Sequence, residues 1–324
     1  MNPIDIVSLK TRVVMAYGGL QAPEVEVFLA DGTRASALGG SIRGDAEPLV
    51  RLANEKLADE LFSRPADQQL QIDILLRELD GTANLSHLRK EILFPVSMAV
   101  SKAAAAHYGM PLYRYLGGVD TSSLPIPMIS IMHGEDEGNP WTLSLLPFNF
   151  STFSTALKEC QKIIGRLRLS TGESTREKNC EGQIEILRNI LRESEYTSAI
   201  EICLETKSPD VKTVRARKNL RSSEAFLRTI KSGEIFDVGS LGTVSDLFAL
   251  VDSKKRDAIL DVGHGVHCCE NFLADFSVAA KLRRLKLDSL TNGKNLNLVN
   301  RLFEIENDLG TEARYTGKNQ RINR

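Results

Sequence analysis

Residues 99–128 read AVSKAAAAHYGMPLYRYLGGVDTSSLPIPM, and this stretch separates two kinds of pattern. Upstream of it runs HLRKEILFPVSMAVSKAAAAHYG, a long alanine-rich segment that predicts a helix buried on one side. Pro95 is expected to kink or interrupt that helix, because proline has no N–H for the ladder. Gly109 is placed to cap its C-terminus. After Leu124 the pattern becomes short apolar runs alternating with amphipathic segments.

The chain before this junction predicts strands followed by helices. IDIVSLKTRVVMA is rich in β-branched residues, and PEVEVFLADGTRASA alternates around the turn Asp31-Gly32, so a hairpin is expected. AEPLVRLANEKLADELFSR spaces Leu49, Leu52, Leu57 and Leu61 as an approximate helical stripe. ADQQLQIDILLRELDG predicts a further helix that stops at Gly81. Strands then helices imply an α+β domain over residues 1–122.

Beyond the junction, IPMISIM, STFSTALKECQKIIGRLR, GQIEILRNILRES, AIEICLE, FDVG, TVSDLFALVDS, AILDVG, ENFLADFSVAAKL and NLVNRLFEIENDLG alternate between strand and helix. That alternation predicts parallel β/α units of an α/β (TIM-type) barrel over residues 123–324. A full eight-unit barrel typically takes about 250 residues, so a reduced or incomplete barrel is expected, shortened around 207–236.

The chain has 324 residues, is 42% hydrophobic and 26% charged, and carries a formal net charge of −1. Such a balance argues against a globally basic nucleic-acid binder. The basic run from Lys207 to Lys231 has Phe226 as its sole aromatic, so base stacking is not expected and the run reads as a solvated face or loop. No apolar run approaches the roughly 18 residues of a membrane span. The N-terminus lacks the pattern of a signal peptide, and five scattered cysteines suit a reducing compartment, so a cytoplasmic location is expected.

Several ordered segments resemble the enolase family. EVEVFLADG followed by Arg34 and Ala35 resembles the N-terminal hairpin of enolases, and IDILLRELDGT through Leu88 resembles their second helix and turn. AVSKAAAAHYGMPLYRYLGGV with LPIPM is similar to their domain junction. FSTFSTALKE, LGTVSDLFAL, FLADF and NRLFEIENDLGTEARYTGKN continue the likeness towards the C-terminus. The resemblance implies an enolase-like N-terminal domain, a C-terminal barrel, and dehydration of 2-phosphoglycerate. That chemistry needs a base beside the carboxylate and magnesium to hold the dianionic intermediate.

The site positions that the resemblance implies depart from the family. Gly39 in GGSIRGD stands where the family's mobile loop has a metal-contacting serine. Glu137 and Thr142 fall near its substrate-contacting histidine and its catalytic glutamate. Glu135, Asp136 and Glu137 read as an exposed acidic turn or as a new acid cluster. Glu173, in GEST, is the candidate for a second catalytic acid. Cys203 lies near the first metal carboxylate, and Glu201 and Glu205 share its strand face as candidate metal ligands. No counterpart of the other two metal carboxylates is legible. Asp237 takes the place of the catalytic lysine, which exchanges a cationic base for an anion. His264 maps to the substrate-binding arginine, and Lys286 to the late substrate-binding lysine. His264, His267, Cys268 and Cys269 could ligate zinc, although their spacing fits no familiar zinc motif and a free-thiol loop is the alternative.

Two readings follow. One is an enolase homologue that has lost 2-phosphoglycerate turnover and works by binding or interaction, as a homodimer or with an enolase-like subunit. The other is a diverged magnesium-dependent lyase acting on 2-phosphoglycerate or a related phosphorylated or carboxylated acid. Neither reading involves a membrane or a nucleic acid.

Overall fold

The structure is a computed structural model and describes residues 1–16, 19–136, 138–171, 180–193, 199–206, 227–231, 235–254, 257–261, 270–288, 290 and 293–317. Three antiparallel strands open the chain: β1 (Ile6–Met15), β2 (Gln21–Leu29) and β3 (Arg34–Leu38). The expected turn joins β2 to β3, with Gly32 at φ 88° and the Asp31 carboxylate accepting the Thr33 N–H at 2.8 Å.

Four helices pack on this sheet and on one another: α1 (Glu47–Leu61), α2 (Gln69–Asp80), α3 (Lys90–His107) and α4 (Leu112–Gly117). The buried stripe of α1 is Val50, Ala53, Leu57 and Leu61, while Leu49 and Leu52 are half-buried. Steps of three and four residues keep that set on one side of a 3.6-residue helix better than the all-leucine set does. Gly81 ends α2 in the left-handed region, and the Asp80 carboxylate accepts N–H groups from Thr82, His87 and Leu88, which winds the following loop around it.

Of the expected kink or interruption at Pro95, the interruption does not occur: α3 runs through it. The missing N–H would have served the Glu91 carbonyl, and Gly39 is packed against that carbonyl, where any Cβ would collide with it and with the Pro23 ring. At the far end Gly109 (φ 62°) donates to Ala106 O and Met110 donates to Ala105 O, a Schellman closure at the expected glycine.

A second sheet begins at β5 (Ile126–Asp136), after a short β4 (Ser123–Leu124) that pairs with β12 (Arg314–Tyr315). Its other strands are β6 (Asn139–Pro147), β7 (Ile200–Thr206), β8 (Leu227–Lys231), β9 (Ile235–Asp237), β10 (Ile259–Asp261) and β11 (Arg284–Leu287). Among the described residues the order is β8-β7-β6-β5-β11-β10-β9. Helices α5 (Phe153–Thr171), α6 (Cys180–Arg192), α7 (Val244–Ser253), α8 (Glu270–Ala279) and α9 (Gly293–Leu309) connect and cover it. The expectation of uniformly parallel units fails at β6, which is antiparallel to both β5 and β7. Only residues 137–138 separate β5 from β6, too few for the crossover a parallel pair requires. The remaining pairs of this sheet are parallel. Most of the basic run after Lys207 lies outside the described residues. No helix among the described residues is long and apolar enough to cross a membrane.

Buried polar groups join the two halves. Asp73 on α2 is 1% exposed; its carboxylate accepts from Ser97 Oγ at 2.6 Å and Gln69 Nε2 at 2.9 Å. Its other oxygen accepts the N–H and hydroxyl of Ser245, at 2.9 and 2.6 Å, in the first turn of α7. The Val244 N–H donates to Ser97 Oγ. A carboxylate from the first half thus satisfies the N-terminus of a helix in the second, where the helix dipole favours negative charge. Arg77 adds an ion pair to Asp246 on α7 at 2.7 Å. Glu306 on α9 does for α5 what Asp73 does for α7, accepting the N–H groups of Phe153 and Ser154.

Burial raises the Asp73 pKa above the ordinary carboxylate value, against the lowering effect of the Ser245, Ser97 and Gln69 hydrogen bonds. The folded state therefore holds this proton at a pH where the unfolded chain has released it. Its contribution to stability is greatest below the unfolded pKa and declines as pH rises through the folded one. Asp73→Asn is expected to remove that decline, seen as a flatter dependence of the urea midpoint on pH through the acid range. Asp73→Ala, which removes the acceptor of four hydrogen bonds, is expected to cost about 2–4 kcal/mol by the same measurement.

Candidate functional site

Register places a row of side chains across the C-terminal ends of the parallel strands. Asp237 on β9 pairs with Asp261 on β10, and Lys286 on β11 pairs with Met128 on β5. Leu260 pairs with Leu285, so Asp261 and Lys286 are the next neighbours. Continuing across β5, β6 and β7, Ser130, Ser144 and Cys203 are directly opposite one another, and so are His133, Thr142 and Glu205 one step further on. Directly opposed residues share a face, so these two rows and the Asp237–Lys286 row form one lining.

The lining converges on Lys286. Its ammonium lies 3.0 Å from Glu205 Oε2, 3.1 Å from Asp261 Oδ2 and 3.9 Å from Asp288 Oδ1, with the lysine side chain 9% exposed. β11 and β7 are separated by β5 and β6. In a flat sheet, with strands about 4.8 Å apart, they would stand about 14 Å from one another. The Lys286–Glu205 contact therefore requires the sheet to curl around this face. Small side chains line the bend: Ser130 and Ser144 are buried with their hydroxyls 3.2 Å apart, and Cys203 is buried beside them.

Burial by itself depresses the Lys286 pKa, but the charges and hydrogen bonds of Asp261 and Glu205 outweigh it and the pKa stands above the ordinary lysine value. Lys286 is accordingly a fixed cation at neutral pH and no proton acceptor there.

Of the residues expected to form a site, Lys286 and Glu205 are brought together and Glu201 is not in that group. Glu201 and Glu205 share a strand face, but four residues of extended chain set their backbones about 13 Å apart. Glu173 and His264 lie outside the described residues, as do His267, Cys268, Cys269 and Glu137. Asp136 from the acidic turn has a structural use: its carboxylate accepts the Cys180 N–H at 3.1 Å at the start of α6. Asp261, Asp288 and His133 were not among the expected site residues. Asp261 ends AILD and Asp288 closely follows Lys286, each an acid at a strand's C-terminal end, which is the legible signal. His133 contacts Thr142, its Nδ1 lying 3.1 Å from Thr142 Oγ1.

Residues 6–116 match the family model described as enolase, N-terminal domain. An enolase of Campylobacter jejuni (strain 81-176) is 32% identical over 241 residues, covering 63% of this chain and 58% of its own length. An enolase of Methanopyrus kandleri is 38% identical over 188 residues, covering 50% of this chain and 44% of its own.

The chain is an enolase-family homologue, matched over part of its length.

It spans about 58% of the length of the first curated enolases it matches. The family implies magnesium, a hard cation that takes oxygen ligands in near-octahedral order. The residues present do not fit it. A lysine ammonium already stands at ion-pair distance from Glu205, Asp261 and Asp288, and two like charges cannot share that space. Among the described residues no group of three or more His, Cys, Asp or Glu converges to hold a metal ion. Gly39 has no room for a Cβ, so no larger residue fits at this loop position.

Lys286→Met removes the cation and leaves Glu205 and Asp261 facing each other. It is expected to lower stability by about 2 kcal/mol, discounted from a fully buried pair because the carboxylates reach solvent. A lysine whose pKa is raised on folding contributes stability below its unfolded pKa, and that contribution is lost as pH rises through the folded value. Urea midpoints of the wild type are therefore expected to fall above about pH 10, and the Lys286 part of that fall to be missing in Lys286→Met. Gly39→Ser is expected to cost about 1–3 kcal/mol through collision with backbone and proline rings, measured as a lower melting temperature.

Proposed function

We propose that this protein is an enolase homologue without 2-phosphoglycerate turnover, whose role is binding or interaction. The observation that carries the reading is the Lys286 ammonium held among Glu205, Asp261 and Asp288. An internal cation satisfies the acids that a catalytic cation would otherwise have to engage.

Two further observations support it. The position of the family's catalytic lysine holds Asp237, which caps the 3-10 turn Val238–Ser240 by accepting the Gly239 N–H at 2.8 Å. The lysine that the site does contain is protonated at neutral pH and cannot serve as the base. We read the curled second sheet as a reduced derivative of the family's barrel, and the binding partner as a second copy of this chain or an enolase-like subunit. A reducing, cytoplasmic setting is part of this reading, and it accords with the buried cysteines Cys160, Cys180 and Cys203.

The test is a coupled assay for phosphoenolpyruvate formation by purified protein, with 2-phosphoglycerate and magnesium in excess. The expected result is no rate above the protein-free control and no change in melting temperature on adding magnesium. Magnesium-dependent turnover of 2-phosphoglycerate, or of a related phosphorylated or carboxylated acid, would establish the diverged lyase in its place.

A further inference from the structure

Helix α2 buries Ile72, Asp73, Leu76 and Asp80 and leaves two large apolar side chains in water on its other side. Leu70 is 59% exposed and Ile74 is 47% exposed. Residues four apart stand one above the other on a helix face, so the two side chains form one short stripe. The core contact of α2 is already complete on the opposite side, so this stripe contributes nothing to the packing of its own chain. Single exposed apolar residues are ordinary. What sets this pair apart is the charge at each end of it.

Exposed Asp67, just ahead of the helix, precedes Leu70 by three residues, and exposed Arg77 follows Ile74 by three. Steps of three, four and three keep to one side of a helix with 3.6 residues per turn. The face therefore reads acid, apolar, apolar, base, and that order is its own complement when reversed. Two copies of α2 laid antiparallel, with a two-fold axis midway between Leu70 and Ile74, set each Leu70 against the partner's Ile74. The same operation sets each Asp67 against the partner's Arg77. A parallel pairing would put acid beside acid and base beside base. Both charges have capacity to spare. Asp67 accepts the Tyr108 hydroxyl at 2.7 Å through Oδ2, and its other oxygen has no protein hydrogen bond among the described residues. Arg77 holds Asp246 through Nε and Nη2, which leaves the two N–H groups of Nη1. Tyr108, half exposed beside Asp67, offers an aromatic ring to an incoming guanidinium.

We propose that this face of α2 is a two-fold contact between two copies of this chain. An isologous contact needs a patch that matches itself under a two-fold rotation, and the charge order at Asp67, Leu70, Ile74 and Arg77 supplies that match. The inference rests on the reading of the protein as one that works by interaction, and it makes the partner a second copy. The contact is one helix face wide, small against the roughly 1,200–2,000 Å² of a standard interface, so the dimer forms and dissociates with concentration.

Analytical ultracentrifugation of the full chain over a concentration series is expected to show reversible monomer–dimer exchange. Ile74→Glu sets a carboxylate in the apolar contact and is expected to weaken the dimer about tenfold or more, with an unchanged melting temperature because the position is exposed. Asp67→Arg and Arg77→Asp each place like charges across the axis and are expected to weaken self-association by about the same factor. Mixed one to one, these two variants are expected to recover a heterodimer, since every altered charge then meets its opposite. A wild type that stays monomeric overturns the proposal. So does a dimer that Ile74→Glu leaves intact, or a pair of folded charge variants that mixing does not rescue. Arg77→Asp also gives up the Asp246 ion pair, so if it fails to fold, Ile74→Glu decides the matter alone. Phosphoenolpyruvate formation would refute the loss of turnover and leave the sedimentation result standing, whereas a monomeric protein without turnover would overturn this contact alone.

Discussion

Lys286 reaches from β11 to an adjacent strand on one side and across two strands on the other, and it finds a carboxylate in both places. An ammonium this deeply placed has a large desolvation cost, and only closely held anions offset it. Asp261 is on the adjacent strand, but Glu205 can be that close only if the sheet curls, so the charge cluster and the curvature require each other. The small residues Ser130, Ser144 and Cys203 on the intervening strands leave the concave side open enough for long side chains to meet there.

The same economy appears at the contact between the two halves of the chain. There Asp73 lends a carboxylate to the N-terminus of α7, and within the second half Glu306 does the same for α5, each far away in sequence. Helix ends carry unsatisfied N–H groups, and neither α5 nor α7 depends on its own flanking residues alone to satisfy them. Arg301 holds Asp275 through two bonds of 2.8 Å, while Asp275 also accepts the Tyr113 N–H, which ties α9, α8 and α4 together. Such paired groups favour one docking of helices and sheet over other compact arrangements, because a slipped arrangement would strand a buried charge.

The start of α3 and the loop before α1 are mechanically connected. Proline at 95 leaves the Glu91 carbonyl without its helical donor, and the loop at Gly39 closes on that carbonyl with no space for a side chain. A few residues away, Lys90 and Asp237 place opposite charges around a small cavity on this loop. The chemistry around the strand ends has become one of opposed fixed charges, with the cation supplied by the chain itself.

Much was legible in the sequence where the signal is local. The Asp31-Gly32 turn, the stop at Gly81 and the closure at Gly109 each depend on a glycine whose backbone freedom the neighbouring pattern demands. The ordered likeness to enolases identified the family, and counting back from NRLFEIENDLG singled out Lys286, which lies on β11 among carboxylates. What only the tertiary structure decided is what those residues meet. No spacing rule links Lys286 to Glu205, 81 positions earlier by their numbers, because the contact arises from sheet curvature summed over four strands. Nor could the sequence show that Gly39 would pack against the Glu91 carbonyl and the Pro95 ring, since these come from different elements. Helix and turn signals are short-range and survive in the sequence, whereas the partner of a buried charge is fixed by long-range packing, and here that partner determines what the site can do.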